Sequence, residues 1–157
     1  MTTYAQQTSV SADRSRAEIE VVLRRYGATG FMYGWEGARV QVGFKAGGRM
    51  IRFELEMPDR EDREFTHTPT KGRPRTPVQA DKAWEQATRQ RWRALLLVIK
   101  AKLEAVAAGI STFEEEFLPW VVLPGGATVG DHVLPMVEQA YLSGSVPRLM
   151  LTEGGIS

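Results

Sequence analysis

The sequence predicts one α+β domain: an N-terminal helix, a three-stranded antiparallel meander, a long helix packed on the sheet, a short fourth strand and C-terminal helices. Two observations carry that prediction. Three consecutive stretches alternate apolar and polar residues at period two and are separated only by short glycine turns. That is the pattern of an antiparallel sheet covered on one side. The stretch 76–110 then places Trp84, Thr88, Trp92, Leu95, Ile99, Leu103, Val106 and Ile110 at steps of three and four, on one face of a helix. The 157 residues suit a single domain, which buries about two-thirds of the surface its unfolded chain exposes.

Each element has its own signal. The domain is expected over 11–145, between a flexible arm at 1–10 and a tail at 146–157. A first helix is expected over 12–26, with Ser11 as N-cap and Gly27 just past its end. Ile19, Val22, Leu23 and Tyr26 form its buried stripe. In the strands, Phe31, Tyr33 and Trp35, then Val40, Val42 and Phe44, then Ile51, Phe53 and Leu55 point to one side. Residues 58–75 are prolines and charges and read as a long flexible loop. Thr76, Pro77 and Gln79 have the spacing of a capping box with proline at the first helical position. Gly109 ends the long helix. Thr112 with Glu115 opens a short helix to about Phe117. Residues 120–123 read as the fourth strand, and 129–142 as a last helix stopped by Gly144.

Composition excludes several function classes. With no cysteine, disulfides, thiolate metal sites and cysteine nucleophiles are all ruled out. His67 and His132 have no His or Cys at ligand spacing, so a zinc site is not expected. There is no Gly-x-Ser-x-Gly elbow and no phosphate-cradling glycine loop, so no cofactor is expected. Residues 1–7 lack the apolar run of a signal peptide, and 94–99 is too short to span a bilayer. A cytoplasmic location without membrane contact is the expectation.

The net charge of +1 gives no global attraction to polyanions, so any nucleic-acid binding must come from local charge. Such charge occurs twice. Lys71, Arg73 and Arg75 lie in the loop, while Arg89, Arg93 and Lys100 flank the seam of the long helix. Cations in both places suit phosphate contacts to DNA or RNA. The helix-then-meander order also matches the PD-(D/E)XK nucleases. Glu54-Leu55-Glu56 departs from their pattern by placing Glu where Lys is required, and the second strand carries no acid. A degenerate metal-dependent nuclease is therefore the third reading. The order is also that of double-stranded RNA-binding domains. Their recognition helix opens on a lysine cluster, whereas this one opens on Pro77-Val78-Gln79-Ala80-Asp81-Lys82, so the likeness is one of topology.

The chain resembles a family of uncharacterised proteins encoded by bacteriophages and related mobile elements. The likeness rests on Arg14-Ser15-Arg16-Ala17-Glu18-Ile19-Glu20, Leu23-Arg24-Arg25-Tyr26-Gly27-Ala28, Trp84-Glu85-Gln86-Ala87 through Arg91-Trp92-Arg93-Ala94-Leu95, and Thr112-Phe113-Glu114-Glu115-Glu116-Phe117-Leu118. It implies origin and brings no catalytic residues. The leading expectation is a non-enzymatic accessory protein that binds nucleic acid. The alternative is a module that binds a host protein through the acidic runs 59–64 and 114–116. The apolar Leu95, Leu97 and Val98 point around the long helix and call for a second covering surface, either the C-terminal segment of a monomer or the partner in a homodimer.

Overall fold

Period-two alternation puts Val40, Val42, Phe44 and Ala46 on one side of β2 (Arg39–Ala46), and all four are buried. In a computed structural model that describes residues 3–146, with side chains from residue 12 onward, β2 is the centre of a three-stranded antiparallel sheet. Its neighbours are β1 (Gly30–Glu36) and β3 (Arg49–Glu56). Pairing of Tyr33 with Val42 and of Val42 with Phe53 brings the three apolar sets onto one face, as the alternation predicts. Gly47 and Gly48 both have positive φ (58° and 72°), the conformation a two-residue hairpin turn requires.

Two helices cover that face. α3 (Pro77–Ala107) begins at the predicted capping box: Gln79 N donates to Thr76 Oγ1 (3.3 Å) and Thr76 N to Gln79 Oε1 (3.1 Å). It ends at Gly109, whose N–H meets the Val106 carbonyl at 3.1 Å while Ile110 N reaches Ala105 O at 3.0 Å. Ile110 itself points into solvent. Trp92, Leu95, Leu96, Ile99 and Leu103 join Ile19, Val22 and Leu23 of α1 (Thr3–Arg25) and the sheet in one core cluster. Arg16 lies against Trp92, and Tyr26 Oη donates to Glu104 Oε2 at 3.1 Å, so α1 and α3 run parallel.

α1 starts at Thr3 rather than at a Ser11 cap. Residues 3–10 contain neither Gly nor Pro, and Ala5, Gln6 and Gln7 favour the helix, so nothing in the chain stops it. Tyr26 lies beyond the helix end and is exposed rather than part of the buried stripe. The loop 58–75 contains more structure than its composition suggests. α2 (Arg63–Thr66) buries Phe65, His67 bridges Pro74, and Arg75 N donates to Thr66 O at 2.8 Å.

The C-terminal part follows the predicted order, with one change. α4 (Phe113–Phe117) is capped by Thr112 and Glu115. In place of a fourth strand, residues Leu118–Trp120 form a 3-10 turn, and only Val121 bridges the sheet, at Ile51. Pro119 in that turn and Pro124, which has no N–H, leave too few residues for a ladder. The chain then turns into α5 (Val129–Ser143), which Gly144 ends. Apart from Val146, the predicted tail lies outside the described residues. Among the described residues, no helix is long and apolar enough to cross a membrane.

A Cβ at Gly130 would sit 2.9 Å from the Pro119 carbonyl oxygen, and backbone cannot yield as a flexible side chain would. Gly130→Ala is expected to destabilise the protein by about 1–3 kcal/mol, seen as a lower urea midpoint. Asp131 and Thr128 form a capping box, with Thr128 N donating to Asp131 Oδ2 at 2.9 Å. The hydrogen bonds from Thr128, backbone first, hold the Asp131 carboxyl below its ordinary value, with help from Arg52 and His132. A carboxyl lowered in the native state stabilises the fold above its unfolded pKa, and that contribution disappears as pH falls through the native one. Asp131→Asn should therefore reduce the loss of stability below about pH 4, measured by denaturation across an acid series.

Candidate functional site

The predicted basic residues lie on two parts of the chain, α3 and the loop before it. Arg89, Arg93 and Lys100 are exposed on α3 at spacings of four and seven, and none has a hydrogen bond or ion pair among the described residues. From Gln86 to Lys102 the helix carries Arg89, Arg91, Arg93, Lys100 and Lys102 and no carboxylate. Lys102 is engaged elsewhere: its Nζ donates to the Glu116 carbonyl at 3.1 Å and lies 4.5 Å from the Trp120 ring centre. At 1.5 Å per residue, Arg89 to Lys100 spans about 16 Å.

Lys71 and Arg73 are exposed around Gly72, in the hairpin closed by the His67–Pro74 bridge. The Arg63 guanidinium lies beside them, 3.6 Å from where a Gly72 Cβ would be. Its place in an acidic run had hidden it. Arg75 belongs to the fold, since its Nη1 donates to the Glu64 carbonyl at 3.0 Å and to the Phe65 carbonyl at 3.3 Å. The loop docks on α3 through Arg60, which pairs with Asp81 at 2.9 Å and stacks 3.9 Å over Trp84. Trp84 and Arg93 are nine positions apart, about half a turn around the axis. Trp84, on which the loop docks, and Arg93 therefore lie on opposite sides of α3.

Several carboxylates are engaged by the fold. Glu54 accepts from Gln41 Nε2 at 3.0 Å across the strands. Glu115 caps α4, and Glu116 accepts from Ser111 Oγ at 2.6 Å. Among the described residues, no three His, Cys, Asp or Glu side chains group closely enough to hold a metal.

The structure also contains a cavity of about 400 Å³ at the open end of the meander. It lies between α1, the β1–β2 hairpin, the segment after β3 and the first half of α3. Tyr33, Trp35, Trp84 and Trp92 supply aromatic walls. The Arg16 guanidinium stands 4.3 Å above the Tyr33 ring and forms an ion pair with Asp13. Trp84 Nε1 donates to Pro58 O at 2.7 Å. Glu85 and Thr88 line the same cavity, and each is only 8% exposed. The Thr88 hydroxyl has no hydrogen-bond partner, and Glu85 has neither a hydrogen bond nor an ion pair among the described residues. The sequence held one signal for this site. A glutamate and a threonine stand in phase with Trp92 on the buried seam, where apolar residues are expected. No family model, curated protein or solved structure matches this chain.

Proposed function

We propose that this is a non-enzymatic protein that binds nucleic acid by tracking phosphates along the outer flank of α3, with Arg89, Arg93 and Lys100 as the contacting residues. The supporting observation is that these three cations are exposed, unpaired among the described residues, and set along one side of a rigid helix. Surface arginines and lysines bound to neighbouring carboxylates are already partly neutralised, whereas these keep their full field for a polyanion. A span of about 16 Å covers roughly five phosphates at 3.4 Å of helix axis each. Lys71, Arg73 and Arg63 form a second contact point. The reading includes the phage or mobile-element origin that the sequence resemblance implies and a cytoplasmic place of action. Fluorescence anisotropy of labelled single- and double-stranded DNA and RNA should rise on titration at low salt and fall back as salt is added. No rise at the lowest salt would end this reading.

Self-association is a second reading, favoured by α5. Leu134, Tyr141 and Leu142 are exposed on it, with Tyr141 at 88%. Leu97, at 54% exposed, offers a smaller apolar spot between the α3 cations. Sedimentation should show a dimer in the wild type that Tyr141→Glu converts to monomer. A monomeric wild type at high concentration would rule this out.

A further inference from the structure

We infer that the cavity beside Trp84 and Trp92 binds a small organic cation, one that presents an amino or amidinium group to Glu85 and a flat or apolar body to Trp35. Arg16 is paired with Asp13, and Arg60 with Asp81, so the charge of both guanidinium groups at the cavity is balanced, while Arg16 Nε is buried and makes no hydrogen bond. Glu85 is left over. It is 8% exposed and makes no hydrogen bond or ion pair among the described residues. Its carboxyl oxygens are not fully buried, so they stay open to the cavity, where the N–H groups of a ligand can reach them. Thr88, three residues further on, adds a fully buried hydroxyl without a partner to the same wall.

The ligand's body is indicated by the aromatic side chains. Arg60 covers Trp84, and Arg16 lies against Tyr33 and Trp92, so those faces are in use. Trp35 is 70% exposed on the edge strand and makes no ring or cation contact among the described residues. A free indole face beside an unpaired carboxyl group suits a cation, which gains from the ring quadrupole as well as from the opposite charge. The volume, about 400 Å³, lies in the range of small-molecule sites. An anion would face Glu85 and find both arginines already paired.

Benzamidine, flat and cationic with N–H donors, is the probe, and benzoate is its anionic counterpart. Isothermal calorimetry, with NMR of the tryptophan indole N–H signals, should show benzamidine binding to the intact protein and no binding of benzoate. Glu85→Gln should weaken benzamidine at least about tenfold, the loss expected for a charge-assisted hydrogen bond. Trp35→Ala, at an exposed position that leaves the fold intact, should weaken the probe about fivefold. Benzoate binding as well as benzamidine would overturn the inference. So would unchanged benzamidine affinity in Trp35→Ala, even if Glu85→Gln failed to fold.

Discussion

Reversing three charges, in R89E/R93E/K100E, is expected to abolish nucleic-acid binding while leaving the protein folded. Each cation lost from a phosphate contact removes about 1 kcal/mol, so three remove about 3 kcal/mol, a fall of about 150-fold before repulsion is counted. Stability should change by no more than about 0.5 kcal/mol, because all three side chains are exposed and bonded to nothing among the described residues. The effect should be the same on every oligonucleotide sequence, since phosphate contacts carry no base information. Arg75→Glu should behave differently. It breaks the hydrogen bonds to the Glu64 and Phe65 carbonyls and should loosen the loop, seen as faster proteolysis between residues 58 and 75. Anisotropy and denaturation measured on the same two variants would separate a contact residue from a folding residue.

Trp92→Ala should be among the most damaging single substitutions. Trp92 is 3% exposed, and its ring lies 5.5 Å from that of Tyr33 on β1 and 5.8 Å from the Arg16 guanidinium of α1. One side chain therefore joins α3, α1 and the edge strand. Truncation leaves a cavity that three elements cannot close together, and the expected cost is about 3–5 kcal/mol. For a domain of this size that is a drop in melting temperature of roughly 6–20 °C. Leu97→Ala, on the exposed side of the same helix, should change it by less than about 2 °C. A mild Trp92→Ala would mean that the seam of α3 does not hold the layers together.

The meander and the two capping boxes at Thr76 and Thr112 were legible because their signals are local. Period two, glycine turns and a Thr-x-x-Gln or Thr-x-x-Glu spacing each report on a few neighbouring residues. The helical seam was legible for the same reason, and Trp92, Leu95, Ile99 and Leu103 are buried as it predicts. Where the first helix begins was not legible, because Ser11 suits both a cap and a helix interior and only the flanking residues decide. The fourth strand failed because 120–123 reads as apolar and β-branched while the neighbouring prolines prevent a ladder. The cavity was the least legible feature. Asp13, Trp35, Arg60 and Glu85 come from four elements, and no spacing along the chain reports that they meet. Arg75 looked like the other loop cations in sequence. Only its two carbonyl partners distinguish it.

Phosphate binding by Arg89, Arg93 and Lys100 of α3 predicts a definite salt dependence of binding in single neutralised variants. Wild-type protein and the variants Arg89→Gln, Arg93→Gln and Lys100→Gln would be titrated against the same duplex and the same single strand across a salt series. Each lost contact should reduce the slope of log K against log salt by about 0.9 on the duplex and about 0.7 on the single strand, since each neutralised phosphate releases its counterions. Three variants with the wild-type slope would show that the cations binding the nucleic acid lie elsewhere.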